Sequence, residues 1–219
     1  MSLIPYTAGG GHASGALLTF ASSDIKYVNA TSSSQTYSSQ GIGVASSDRV
    51  VLVSIYSVAN TTSVVQSITC GGVSMTKIKA VTFSLGESGI WGVAYPTGTT
   101  ADIVLTYSVA NISRNFIAVH ALTGTAGDFT EFDFGSDSGS QTMSTTLDIP
   151  ANGAVLVTGG ANSSSGFSAD AGFTREWEEM NTGTVGGGSA SLLAAETART
   201  ITATVGGTAQ ETLLAVSFG

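Results

Sequence analysis

Residues that could perform acid–base chemistry are few and far apart in this chain. Its 219 residues include two histidines, His12 and His120. His12 lies in a glycine-rich segment, which cannot hold an imidazole to the tolerance that proton transfer requires. His120 alternates with Phe116 and Ala118 in a run typical of a strand, which favours a structural histidine. Catalysis by a Ser, His and Asp group is therefore not expected.

Carboxylates are concentrated in the segment GDFTEFDFGSDSGS. Four carboxylates lie within ten residues of one another, and oxygen ligands at such density could bind calcium. They belong to Asp128, Glu131, Asp133 and Asp137. Their spacing matches no calcium loop, and the glycine-dependent turn of an EF-hand is missing. The segment predicts a solvated loop, with no metal and no cofactor.

One aromatic side chain lies among carboxylates, in Arg175-Glu176-Trp177-Glu178-Glu179. Such a combination can stack on a sugar and hydrogen-bond to it. The same segment also fits a strand with Trp177 pointing inward. Glycosidase chemistry needs two opposed carboxylates at a defined separation, which sequence spacing does not establish. We therefore predict that the protein is not an enzyme.

Composition excludes several classes of partner. Charged residues make up 10% of the chain and the net charge is -8, so no basic groove can neutralise nucleic-acid phosphates. No run approaches the ~18 apolar residues of a membrane helix, and Met1 to Gly15 lacks the features of a signal peptide. The single cysteine, Cys70, excludes an intramolecular disulfide and reads as a small apolar residue at a strand end. We expect neither nucleic acid nor membrane as a direct partner, and synthesis in a cytoplasm.

Short runs of β-branched and aromatic residues between turn signals predict an all-β fold. Gly71-Gly72 and Pro96-Thr97-Gly98 are predicted to close hairpins, while Gly9 to Gly11 and Gly186 to Gly188 are predicted to be flexible turns. The predicted strands are Arg49 to Val58, Val65 to Cys70, Val73 to Phe83, Gly89 to Tyr95, Ala101 to Tyr107, Asn115 to Leu122, Thr145 to Ile149, Ala154 to Thr158, Gly172 to Glu178, Ala190 to Glu196, Arg199 to Val205 and Thr212 to Phe218.

The predicted organisation is an extended N-terminal arm over residues 1–40, interrupted by one short strand at Ala16 to Phe20, and a single β-sandwich domain over residues 41–219. Nearly continuous apolar runs at Val50 to Val53, Phe116 to Leu122 and Leu213 to Val216 predict central strands that are covered on both faces. The two halves also resemble each other in strand order, with DRVVLVSIYS matching GAVLVTGG. One antiparallel two-sheet sandwich of about ten strands is favoured, and two small sandwiches remain the alternative.

The strand texts VVLVSIY, SITCGGVSMTKI, WGVAYPTGTTADIVLTYS and FIAVHALTG resemble the jelly-roll modules of tailed-bacteriophage virion proteins. The likeness spans about residues 40–219 and carries no site residues with it. It implies a non-enzymatic structural protein located in the virion, assembled as a homo-oligomer and often as a trimer. Capsid decoration, with the major capsid protein or another virion protein as partner, is the favoured role. A tail or fibre component, or a module that binds host glycans through Trp91 or Trp177, is the alternative.

The N-terminal segment offers a possible contact site for such a partner. Leu3, Ile4, Pro5 and Tyr6 form an apolar cluster ahead of the glycines at Gly9 to Gly11. We expect this cluster to anchor on a neighbouring subunit or on the capsid shell, where binding supplies the free energy that orders the arm.

Overall fold

The chain folds into antiparallel β-structure throughout the residues that the structure describes. This computed structural model describes residues 15–27, 32–59, 63–110, 112–125, 129, 133–138, 141–161, 165–169, 173–180, 184–191, 194–206 and 211–219, and this part contains no helix. Threonine and valine occur often in the strands, where their branched side chains pack well on a pleated surface. The predicted all-β class is confirmed.

Seventeen strands are present in the described part. They are β1 (Leu17–Tyr27), β2 (Ser34–Gly41), β3 (Val50–Ala59), β4 (Val65–Cys70), β5 (Val73–Ser74), β6 (Thr76–Phe83), β7 (Gly86–Ala94), β8 (Thr100–Tyr107), β9 (Ile112–Thr123), β10 (Asp133–Ser138), β11 (Thr142–Ile149), β12 (Ala154–Ala161), β13 (Ser165–Ala169), β14 (Thr174–Met180), β15 (Thr184–Ser191), β16 (Glu196–Gly206) and β17 (Thr212–Phe218).

The strands form four sheets, two from each half of the chain. The N-inner sheet has the order β1-β9-β3-β7-β6, and the N-outer sheet has the order β2-β8-β4-β5. The C-inner sheet has the order β10-β17-β12-β15-β14, and the C-outer sheet has the order β11-β16-β13. Position by position, β1 corresponds to β10, β9 to β17, β3 to β12 and β7 to β15. The repeat seen in the sequence is therefore a repeat of topology.

Strand pairing in each half is nested in the manner of a jelly roll. In the first half β1 pairs with β9, β2 with β8 and β3 with β7. In the second half β10 pairs with β17, β11 with β16 and β12 with β15. Pairing first with last and second with second-to-last rolls an antiparallel ribbon into two facing sheets. The prediction of an antiparallel, jelly-roll-like sandwich is confirmed.

Two sandwiches are present where the sequence favoured one. One apolar core lies between the two N-terminal sheets and a separate one lies between the two C-terminal sheets. We call these the N-terminal sandwich (residues 17–123) and the C-terminal sandwich (residues 133–218). Within the described residues, the single predicted sandwich of about ten strands is thus corrected to two sandwiches, of nine and eight strands. The physical reason is that each half closes its own nested ribbon and needs no strand from the other.

The two sandwiches pack through their inner sheets, which gives four layers. Alternate residues of β3 point in opposite directions, so Val51 and Val53 enter the N-terminal core whereas Val50 and Leu52 enter the junction. Leu156 and Val216 meet them there from the C-inner sheet. β3 and β17 are buried at every position, which confirms the prediction that the apolar runs are central strands covered on both faces.

An aromatic ring from one sandwich packs against a glycine of the other at this junction. A Cβ atom on Gly160 would lie 2.6 Å from Cδ2 of Tyr56, so the glycine leaves the space that the Tyr56 ring occupies. The positions correspond in the two repeats, since DRVVLVSIY aligns with NGAVLVTGG.

Much of the predicted arm is built into the sheets. β1 pairs with β9 from Leu17 to Tyr27, and β2 pairs with β8, so residues 17–27 and 34–41 are sheet strands and not an extended arm. β2 escaped prediction because it is rich in serine and glutamine, yet it buries Gln35, Tyr37 and Gln40 between exposed neighbours. Residues 1–14, with the Leu3 to Tyr6 cluster, lie outside the described residues.

Two turn predictions are also corrected. Pro96 to Gly98 joins β7 to β8, which belong to opposite sheets, so it crosses the sandwich and closes no hairpin. Gly186 to Gly188 lies inside strand β15 and is not a turn. A Cβ on Gly186 would lie 2.5 Å from Cγ of Phe167, so Gly186 makes room for a ring. Gly71 and Gly72 do form the β4–β5 hairpin turn, with φ of 55° and 82°.

Candidate interaction site

The aromatic residues considered for glycan binding do not form an exposed platform in the described part. Trp91 is 3% exposed and belongs to the N-terminal core. The side chain of Trp177 lies outside the described residues. Cys70 is fully buried at the end of β4, as predicted, and burial raises the pKa of its thiol to about 11.

His120 is a buried residue of the junction. It is fully buried on β9, and its Nε2 lies 2.8 Å from Oε2 of Glu176 on β14. The Ser189 hydroxyl donates to the other carboxylate oxygen at 2.7 Å, and the Phe20 ring packs edge-on against the imidazole. The carboxylate therefore lies between the serine and the histidine. A nucleophilic serine must contact the imidazole directly, so this arrangement ties the two sandwiches together and activates no nucleophile.

The acidic segment is partly a strand, β10, rather than the predicted loop. The carboxylate of Asp133 accepts from the amides of Phe134 and Asp148. That of Asp137 accepts from the amides of Ser138 and Ser144. Both carboxylates of β10 are therefore occupied by hydrogen bonds from backbone amides. Asp128 and Glu131 lie outside the described residues.

No set of three or more His, Cys, Asp or Glu side chains in the described ranges is arranged to hold a metal ion. No helix in those ranges is long and apolar enough to cross a membrane.

An apolar groove opens where the N-outer sheet stops short of the start of β1. β2 ends at Gly41, and the loop that follows it faces the start of β1 and the end of β9 across a cleft of about 430 Å³. We call this cleft the β1 groove. Its lining is Leu17, Thr19, Gly43, Val44, Ala45, Ser46, Asp48, Ala121, Thr123 and Gly124.

A buried arginine holds the loop that forms one wall of the β1 groove. Arg49 is 1% exposed, and its Nη1 donates to the carbonyls of Gly43 and Gly98 at 2.9 Å each. Nη2 donates to the carbonyl of Thr97 and Nε to that of Tyr95. Burial lowers the pKa of this guanidinium from its ordinary value. Four backbone carbonyls accept from the cation, so it joins two loops into one rigid wall.

Asp48 closes the same loop from the other side. Its carboxylate accepts from the Ser46 hydroxyl and, at 2.8 Å, from the amide of Gly124. The hydrogen bond from Ser46, followed by that from Gly124, lowers the pKa of Asp48. The wall is thus preformed, and its single carboxylate already has donors.

Two large apolar side chains stand exposed on this groove, Leu17 at 54% and Val44 at 83%. Sequence reasoning missed the site, because its residues come from three separate segments that only strand pairing brings together. The available signal was Val44, an isolated apolar residue within GIGVASSDR.

Comparisons with known proteins identify no family for this chain. No protein-family model and no curated protein matches it. Among solved structures, a cupin 2 conserved barrel domain protein from Leptotrichia buccalis aligns over 89% of this chain and 88% of its own, with 10% identity and a TM-score of 0.20. That score is too low to carry an argument about fold or function.

Proposed function

We propose that the chain is a non-enzymatic structural protein of a bacteriophage particle, which binds the outer surface of the capsid as a decoration protein. The observation that carries this proposal is the packing of two jelly rolls into one four-layer body across an apolar junction. Flexible attachment is the default between domains, and a large hydrophobic interface removes it. A rigid body of this kind suits a building block of a particle.

The outward face of the C-outer sheet supports the same role. Along β11 and β16 that face carries hydroxyl side chains, and Ser144 lies opposite Thr202. Uncharged hydroxyls can pack against a protein shell without the large desolvation cost of buried ions. The other hydroxyl side chains of this face are those of Thr142, Thr146, Thr200 and Thr204, and the exposed carboxylate of Asp148 lies at its end.

The non-enzymatic assignment is supported by the junction chemistry, in which Glu176 separates Ser189 from His120. The resemblance of the strand sequences to phage jelly-roll modules supports a location in a phage particle. Closed symmetric assemblies of identical chains are common. We propose a trimer in the virion, with the major capsid protein as its partner.

Immunogold electron microscopy of virions from the phage that encodes this chain tests the proposal. Antibodies raised against the recombinant protein should label the heads, and the same antibodies pre-absorbed with that protein should not. Label on tails would replace decoration with a tail or fibre role. Virions without label, and without the chain by mass spectrometry, would overturn the virion assignment.

A further inference from the structure

We propose that the β1 groove receives the N-terminal segment of a second copy of this chain, with Leu3, Ile4, Pro5 and Tyr6 as the inserted side chains. The inference goes beyond the proposed function, because it concerns contacts between copies and holds whether or not they bind a capsid.

The groove has the size and surface of a peptide-binding cleft. Its volume of about 430 Å³ falls in the range of roughly 300 to 1,000 Å³ in which proteins hold small ligands. Leu17 and Val44 supply its exposed apolar surface. The other large apolar side chains that are exposed in the described ranges are Val73, Val109 and Phe134, none of which lines the groove. Two of the five exposed large apolar side chains in the described ranges therefore share this cleft, and neighbouring exposed apolar side chains of this kind mark interaction sites.

The N-terminal segment matches the groove in chemistry. Residues 1–14 contain four consecutive residues with large apolar side chains or a proline ring, and no Asp, Glu, Lys or Arg. Asp48 is the one ionisable group of the groove lining, and its carboxylate already accepts from Ser46 and Gly124. An uncharged apolar segment can therefore enter without stranding a charge. Pro5 also lowers the backbone entropy that is lost when the segment becomes ordered.

The approach of the chain to β1 favours the groove of another copy. The amide of Ala16 donates to the Asn152 carbonyl at 2.7 Å, and Gly15 lies directly against Asn152. The Ala16 side chain is part of the junction between the inner sheets. The chain therefore reaches β1 from the C-terminal sandwich, whereas the groove lies on the opposite face of the N-inner sheet. Repeating one such head-to-tail contact around an axis closes a ring, which agrees with the proposed trimer.

Disulfide trapping tests which chain fills the groove. Full-length Ile4→Cys and full-length Val44→Cys are mixed, equilibrated and oxidised with copper phenanthroline at neutral pH. The native Cys70 does not interfere, since it is fully buried and its thiol pKa is about 11. We expect a disulfide dimer that joins position 4 of one chain to position 44 of the other, identified by mass spectrometry of the linked peptides.

A matched control replaces Val44→Cys by Val73→Cys, since Val73 is exposed but lies outside the groove. Proximity raises the effective concentration of the thiols, so the yield with Val44→Cys should exceed the control roughly tenfold or more. Equal yields would overturn the proposal. An Ile4→Cys/Val44→Cys double variant that closes only a disulfide within one chain would overturn the choice of a second copy.

Self-association gives an independent measurement. In the full chain, Val44→Asp should weaken self-association roughly tenfold or more in sedimentation equilibrium, because it places a charge in an apolar contact. Val73→Asp should keep the wild-type mass, and both variants should keep the wild-type melting transition. Unchanged association of Val44→Asp, or a wild type that stays at 22.0 kDa at every concentration, would overturn the inference. Either result leaves head labelling by immunogold free to succeed, so the two proposals fail separately.

Discussion

The two sandwiches share one topology but fill their interiors with different chemistry. The N-terminal core includes Tyr37, Trp91 and Tyr107, and the same interior holds buried polar side chains. The C-terminal core is mainly aliphatic; in the described part its one fully buried ring is that of Phe167, and Phe173 packs against the core from the side. Both sandwiches share the strand order and the inward–outward alternation of side chains, which therefore determine the jelly-roll topology. The residues of the core can differ as long as they fill the volume between the two sheets.

A polar row at one end of the N-terminal core carries most of the difference. Asn115, Ser57 and Glu87 lie side by side on β9, β3 and β7. Asn115 donates to Gln35 on the facing sheet at 3.3 Å, and Glu87 pairs with Lys77 at 3.2 Å. In the repeat, the place of Ser57 is taken by the buried Ala161, which belongs to the C-terminal core.

In the C-terminal core, glycines leave space for a large side chain. Gly159 and Gly186 both face Phe167, since Cβ atoms placed on them would lie 3.0 Å and 2.5 Å from ring carbons. One large ring therefore fills space that two glycines leave open, without any polar group.

Phe167→Ala should produce the largest loss of stability, because this ring is the main filler of the C-terminal core. We expect the free energy of unfolding to fall by about 3 to 5 kcal/mol, measured by urea denaturation. Gly186→Ala alone should cost about 1 to 3 kcal/mol by overpacking.

The double variant Phe167→Ala/Gly186→Ala sharpens this test. Its loss should be smaller than the sum of the two single losses, because the added methyl group enters the space that the ring leaves. Strict additivity would contradict the ring-and-gap description.

Arg49→Met tests a second contrast, between the turns that precede β3 and β12. Arg49 aligns with Gly153, whose amide donates to the Pro150 carbonyl in a short turn. Removing the guanidinium leaves buried carbonyls without their donor, and we expect a loss of about 3 kcal/mol in the free energy of unfolding.

The same variant should alter the β1 groove, since Arg49 holds the Gly43 carbonyl. In the variant, amide hydrogen exchange should become faster than in the wild type in residues 43–46 and should stay unchanged in residues 150–153. A variant with wild-type stability and exchange would contradict the structural role of Arg49.

Alternation and apolar runs were enough to predict β3, β9 and β17, because those patterns report burial directly. They missed β2, whose buried positions are Gln35, Tyr37 and Gln40, since period-two reasoning looks for aliphatic residues. They also placed the β15 glycines in a turn, because the reason for a glycine at position 186 is the Phe167 ring from another strand. The β1 groove could not be predicted for the same reason, as it depends on which strands become neighbours.

Glu87 should give the N-terminal sandwich a pH dependence. Burial raises the pKa of Glu87 above its ordinary value of 4.5, and the charge and hydrogen bond of Lys77 oppose that rise. A carboxyl with a raised pKa binds its proton more tightly in the folded state, so its contribution is present below 4.5 and is lost as the pH rises through the folded pKa.

Comparison with Glu87→Gln isolates this contribution. The free energy of unfolding of the wild type, relative to that of Glu87→Gln, should fall as the pH rises from below 4.5 to neutrality. Urea denaturation at a series of pH values measures it. A difference that is constant with pH, or that grows, would contradict the assignment.

The smallest effect is expected from making the N-terminal interior resemble the C-terminal one. Asn115→Leu alone removes the donor to Gln35, a residue that is 7% exposed, and should cost about 1 to 3 kcal/mol. Replacing both partners by apolar side chains of similar size leaves no polar group without a partner. The double variant Gln35→Leu/Asn115→Leu should therefore lie within about 1 kcal/mol of the wild type. Within the described residues, Nε2 of Gln35 and Oδ1 of Asn115 already lack hydrogen-bond partners in the wild type. A double variant that is slightly more stable than the wild type would therefore also agree with this prediction. A double variant that loses more than either single variant would show that the polar row is required by this sandwich, and that the two interiors are not interchangeable solutions for one roll.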